Sequence, residues 1–322
     1  MHILQIVGLI VGIVGGLLVL LFGNNWFQQA HGLSLFEWLR RRFRSRSGPV
    51  SREPAANFIP RLNAFFRDDV EVQLLAHEPT VIKEKDHLLL SSTEEGLAAT
   101  FRASLPINDP VAVLSREPKW RDKPLVLHVH ATDYAAVCAL DKSGKRPTML
   151  SANVVVVCQE AEVLVLQRRA ELVNRDHEDA LHTFGGAYMP AVPGAGDHDQ
   201  LSMLSTALRE LGEESHLSFD PGASPPLLVG RERKIGFLHV ALIGVNVSLA
   251  SLRRAEALPP PSEGPIVRIP WNELPRRLID ETWVPAGKCQ VLSWLALGAP
   301  QSAGRAPFGG ESGQELFNRI VP

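Results

Sequence analysis

Six consecutive residues, Arg209-Glu210-Leu211-Gly212-Glu213-Glu214, concentrate the chemistry of this chain. On a helix Glu210 lies beside both Glu213 and Glu214, at i+3 and i+4. Three carboxylates then share one face, and their repulsion is costly unless a cation relieves it. Arg209 can satisfy one of them but cannot neutralise all three. Leu201, Leu204, Leu208 and Leu211 fall on the opposite stripe, which would pin the helix to a core. The polar face would offer hard oxygen ligands of the kind that suit Mg²⁺ or Mn²⁺, and Mg²⁺ usually bridges to phosphate. A solvated surface charge run is the plainer alternative.

The elements upstream bear on that choice. Asn153 to Cys158 and Val163 to Gln167 read as two strands joined by a charged turn, Gln159 to Glu162. Gln167-Arg168-Arg169 closes the second strand, and Phe184-Gly185-Gly186 follows. A glycine pair lets the backbone turn sharply or come close to a ligand. Gln200 to Leu217 carries the helical period.

A strand ending in a basic pair, a Gly-Gly turn and a helix reading Arg-Glu-x-x-Glu-Glu together resemble the Nudix family, over roughly residues 125–298. The resemblance implies a mixed-sheet α/β/α sandwich. It implies Mg²⁺ held by Glu210, Glu213 and Glu214, with Glu213 and Glu214 as catalytic residues. Arg209 would orient one of them, and Arg168, Arg169, Gly185 and Gly186 would line the ligand site. Glu263, in the Pro-rich loop Leu258 to Pro265, stands about where such enzymes place an extra water-activating carboxylate. The sequence also departs from the family. Arg209 stands 23 positions after Gly186, where the family has 14. The family's first glutamate falls on Leu201, with Asp197 and Asp199 near it but out of register. His216 replaces the glycine after the Glu-Glu pair and would have to close the helix under some strain.

Other groups are weaker candidates. His128 and His130 share one face of a strand and could clip a metal; a plain polar face is the alternative. His182, before the Gly-Gly turn, and Arg231, Arg233 and Lys234, before the strand Phe237 to Val247, could contact phosphate. The chain has no Walker A, GxSxG, HExxH or Rossmann glycine pattern.

Composition bounds these readings. The 322 residues are 45 % hydrophobic and 21 % charged, which excludes a disordered or collagen-like chain. A net charge of −2 argues against DNA or RNA as a partner. Three cysteines, Cys138, Cys158 and Cys289, make neither a disulfide framework nor a CxxC zinc pattern.

Ile3 to Phe22 is an almost unbroken apolar run, long enough for a transmembrane helix at residues 3–22. It lacks the basic flank and small-residue cleavage site of a signal peptide. Arg40, Arg41, Arg42, Arg44 and Arg46 follow it, so the expected topology is single-pass in a bacterial inner membrane with the C-terminal domain cytoplasmic. Residues 23–56 read as a basic juxtamembrane helix and linker, able to lie on anionic lipid. Gly8, Gly12 and Gly16 form one small-residue stripe, which points to a homo-oligomer through the membrane helix.

Residues 57–124 read as an N-terminal elaboration of unknown role, with strands at Val70 to Leu75 and Leu88 to Leu90 and a helix at Glu94 to Leu105. Leu125 to Ala131 reads as a strand and Cys289 to Leu297 as a helix, and residues 299–322 as a flexible tail. Alternating strands and helices imply an α/β or α+β fold. The architecture, one N-terminal span plus a remodelled Nudix-like domain, is similar to the transmembrane–Nudix (SMODS-associated Nudix) effectors of CBASS anti-phage systems. That similarity implies a sensor that binds a cyclic nucleotide and oligomerises to disrupt the inner membrane. The alternative is a membrane-tethered, Mg²⁺-dependent hydrolase of nucleoside diphosphate derivatives.

Overall fold

The computed structural model describes residues 58–322 except 86–87, 106–107, 121–123, 171–176, 190–201, 218–224, 260–263 and 298–305. The expected membrane span, the juxtamembrane segment, Gly8, Gly12, Gly16 and Glu263 lie outside the described residues. Among those described, no helix is long and apolar enough to cross a membrane.

The organising strand is β5, Met149–Cys158. It carries no charged side chain and every residue in it is buried. Such a strand needs cover on both faces. Its side chains alternate accordingly. Leu150, Ala152, Val154 and Val156 face one core with the helix α4 (Met203–Ser215), while Val155 and Val157 face another with α7 (Pro285–Ala296).

One edge of β5 runs parallel to β10 (Phe237–Asn246), which pairs antiparallel with β9 (Leu227–Glu232). The other edge is shared. β8 (Phe184–Ala187) takes Ser151 to Val154, and β6 (Val163–Arg168) takes Val156 to Cys158. β6 in turn pairs with β7 (Leu181–His182) and β11 (Ile266–Pro270). The expected mixed α/β sheet with helices on both faces is what forms.

Residues 58–133 join this same sheet. β1 (Val70–Leu75) pairs with β9, and β3 (Pro110–Leu114) touches β5 at Val113↔Met149. β3 also pairs with β4 (Val126–Asp133), which runs parallel to β2 (Thr80–Lys83). The helices α1 (Phe58–Phe66), α2 (Ser92–Ser104) and α3 (Tyr134–Lys142) cover this part. The strand expected at Leu88 to Leu90 is absent, and β2 lies earlier. Leu89 is 90 % exposed, so its apolar character was no sign of a buried strand.

Three short helices complete the set: α5 (Leu249–Glu256), α6 (Leu274–Asp280) and α8 (Gly313–Ile320). The last corrects the expectation of a flexible tail. Ser312 and Glu315 form a capping box that starts α8. Leu316, Phe317 and Val321 are buried in the core with α1 and α7, and Phe317 meets Phe58 edge-on at 6.2 Å. The mixed Ala, Pro, Ser and Gly composition from Ala299 to Gly313 hid this short amphipathic helix.

The tail therefore closes the core. Phe317→Ala should cost about 3–5 kcal/mol, as expected for a fully buried ring. Chemical denaturation would show it as a lower midpoint; an unchanged midpoint would mean that α8 is not docked.

Candidate functional site

α4 begins at Ser202, whose side chain accepts a hydrogen bond from Ser205 N. It ends at His216, which adopts the left-handed conformation (φ 55°, ψ 16°) and donates its N–H to Gly212 O. The strain expected from replacing a glycine there is present.

The inner face of α4 differs from the expectation. Met203, Thr206, Ala207, Glu210, Leu211 and Glu214 are buried, whereas Leu204 and Leu208 are only partly so. Two of the three carboxylates thus lie on the core side, and Glu213 alone points outward with its side chain 59 % exposed. The reason is the 3.6-residue period. Positions 203, 207, 210, 211 and 214 fall on one stripe, and Glu213 falls beside it.

Two glycines make that burial feasible. Gly185 N donates to Glu214 Oε2 at 2.7 Å. Gly185 has φ +149°, and a Cβ there would sit 2.7 Å from Asn153 Cα. A Cβ on Gly186 would overlap the Glu210 carboxylate, whose farther oxygen lies only 2.9 Å away. Gly185 and Gly186 are not the expected turn but two paired residues of strand β8, and they form a cradle without side chains into which α4 presses two acids.

Cations attend both. Arg209 bonds to Glu210 and donates to Glu213 Oε2 at 2.6 Å. Arg169 Nη1 lies 3.9 Å from Glu214 Oε1, with the arginine side chain 11 % exposed. Of the basic pair expected at the site, only Arg169 reaches it. Arg168 faces the other way, donating to Asp179 O and Glu281 Oε2, both at 2.7 Å. Neighbouring residues on a strand point to opposite faces, so one of the pair had to leave.

The remaining candidates lie elsewhere. His128 is held by Glu84 at 2.8 Å and by Arg116. Arg231 is paired with Glu117, Arg233 with Glu71 and Lys234 with Asp69, which makes them surface ion pairs. Among the described residues no three His, Cys, Asp or Glu side chains converge as a ready-made metal cluster.

His182 is buried beside α7, where a Cβ on Gly287 would crowd its ring. Burial holds its pKa well below the usual imidazole range, helped by the positive charge of Arg169. A second buried network, absent from the sequence reading, runs close by. His239 Nε2 lies 2.9 Å from Glu232 Oε2, its Nδ1 contacts Ser151 and Asn153, and Glu232 Oε1 accepts from Ala286 N at the start of α7. Each of these residues sits in an ordinary strand pattern, so only the fold reveals the grouping.

A divalent cation fits part of this arrangement. Glu210 and Glu214 are hard oxygen donors one turn apart, and the missing side chain of Gly186 is what lets the Glu210 carboxylate lie against β8. Mg²⁺ needs only one or two protein carboxylates, with water and phosphate completing its shell.

No protein-family model matches the chain, and no curated protein does. Many solved structures align with part of it, two NUDIX hydrolases among them. One is a NUDIX hydrolase from Nitrosomonas europaea, at 15 % identity and a TM-score of 0.31, covering 44 % of this chain and 84 % of that one. The other is a NUDIX hydrolase from Alicyclobacillus acidocaldarius, at 15 % identity and a TM-score of 0.32, covering 48 % of this chain and 94 % of that one.

Two outcomes follow from the cradle and the histidine. Gly185→Ala should destabilise the domain by about 3 kcal/mol, through overpacking against β5 and a disfavoured backbone, in thermal or chemical unfolding. His182 stays neutral when folded and protonates near pH 6.5 when unfolded, so the unfolded chain binds the extra proton below that pH. Stability should fall as pH drops from 7.5 to 5.5, by at most about 1.4 kcal/mol per unit from this residue. His182→Asn should flatten that slope relative to the parent chain; an equal slope in both would show that His182 does not cause it.

Proposed function

We propose that this chain is a Nudix-type nucleotide-binding protein in which the α4 carboxylates serve ligand binding, and that it acts as a sensor. Glu210 and Glu214 would hold a Mg²⁺ ion, which would supply positive charge against a diphosphate. Arg169 and Arg209 would fix the two carboxylates and share the negative charge of the ligand. Gly185 and Gly186 of β8, having no side chains, would let the phosphates come near the backbone.

The observation that carries the sensor reading is the position of Glu213. It is turned to solvent and shares Arg209 with Glu210, so the buried face of α4 carries two carboxylates rather than three. A site arranged this way has two acids for holding a ligand and none directed inward to activate water. The apolar run at residues 3–22, with its stripe of Gly8, Gly12 and Gly16, supports an output through the membrane. On this reading a cyclic nucleotide favours assembly because it binds the assembled state more tightly than the free one. A defence effector that disrupts the inner membrane, as in CBASS systems, is the role this architecture fits.

The second reading is a tethered hydrolase of nucleoside diphosphate derivatives. It is favoured by the complete Arg-Glu-x-x-Glu-Glu helix and by the bond from Gly185 N to Glu214, which places a carboxylate against β8.

The test uses the full chain in mild detergent with Mg²⁺. Cyclic di- and trinucleotides and nucleoside diphosphate derivatives are added separately, with light scattering reporting assembly and chromatography reporting cleavage. The sensor reading predicts growth in particle size on an uncut cyclic nucleotide, lost in Glu210→Gln/Glu214→Gln. Metal-dependent cleavage of a diphosphate derivative without assembly would overturn it in favour of the hydrolase.

A further inference from the structure

The segment between Tyr188 and Ser202 is longer than the resembling family requires, and the family's glutamate position there holds Leu201. What braces the start of α4 comes from outside that segment. Glu78, in the turn between β1 and β2, accepts a hydrogen bond from Ser202 Oγ at 2.8 Å and from Leu204 N at 3.0 Å. Ser202 is the helix cap itself, so one carboxylate oxygen binds both the cap hydroxyl and a backbone N–H of the first turn.

Three features make this more than a chance surface contact. A helix leaves its first N–H groups without internal partners, and a negative charge there is favoured by the helix dipole, by about 0.3–1 kcal/mol when exposed and more when partly buried. Second, the first turn of α4 contains no acid of its own, so Glu78 provides the one its sequence lacks. Third, Glu78 also acts on Tyr188, which ends the strand side of the same segment. Tyr188 is buried, and its phenol pKa is raised mainly by burial and further by the Glu78 charge. Glu78 thus stands at both ends of the enlarged loop.

The turn that carries Glu78 is fixed from two sides. β1 pairs with β9 and β2 pairs with β4, so the turn is stretched between strands of the main sheet. We infer that Glu78 is a positioning residue for the candidate site: it sets the start of α4, and through the rigid helix it sets where Glu210 and Glu214 meet Gly185 and Gly186. This gives residues 58–133 a role as a brace for α4. It touches neither ligand nor metal. The affinity arm of the test below rests on the proposed cation site, whereas the exchange arm does not.

The test compares the full chain with Glu78→Ala and Glu78→Gln. Glutamine keeps an oxygen acceptor for Ser202 and Leu204 and loses only the charge. Amide hydrogen exchange is read by mass spectrometry over peptides from α4 and, as a control, from β5 and β10. Mn²⁺ affinity is read from the paramagnetic resonance of the free ion. Glu78→Ala should speed exchange in the first turns of α4 at least tenfold, leave β5 and β10 unchanged, and weaken Mn²⁺ binding about tenfold. Glu78→Gln should restore most of both. Equal acceleration in α4, β5 and β10 would reduce Glu78 to a general stabiliser and overturn the inference, as would unchanged exchange in α4. If the parent chain binds no Mn²⁺, the cation site fails, and the exchange pattern still decides the role of Glu78.

Discussion

Two carboxylates buried against a stretch of strand with no side chains are the constraint on which this domain depends. Glu210 and Glu214 lie on the core face of α4, where an unpaired charge would be severely penalised. They are tolerated because Gly185 donates its N–H to one, Gly186 leaves room for the other, and Arg169 and Arg209 stand beside them. Removing either glycine's freedom or either cation would leave a buried charge exposed to that penalty.

The rest of the fold holds the two sides of that contact in register. β8 carries the glycines and is fixed by pairing with Ser151 to Val154 of β5. α4 carries the acids and is fixed by Met203, Ala207 and Leu211 in the same core. α7 and α8 close the opposite face, with Trp271, Trp294 and Phe308 packed ring against ring. The N-terminal strands extend the sheet and deliver Glu78 to the start of α4.

Local patterns in the sequence were enough to find α4, β5, β6 and β10, because each has a clear period or an uninterrupted apolar run; the glycine pair, read as a turn, lies in strand β8. The motif also grouped Arg209 with Glu210, Glu213 and Glu214, of which the fold turns Glu213 outward. Which acids face inward was not legible from the leucines. Leu204 and Leu208 suggested the wrong stripe, since the true core face is built partly from Ala207 and from the glutamates themselves. Arg168 and Arg169 read alike in sequence, yet strand alternation sends only Arg169 to Glu214. Contacts between distant segments, such as Glu78 with Ser202 and His239 with Ser151, leave no local signature. Similarly, α8 was masked by the composition of the residues before it.

The most direct test of the central claim is anomalous diffraction from crystals grown with Mn²⁺. The account predicts a peak bridging Glu210 and Glu214 beside Gly185–Gly186, lost in Glu210→Gln/Glu214→Gln. A well-ordered domain with no peak there, or with Mn²⁺ bound only at exposed acids away from α4, would contradict it.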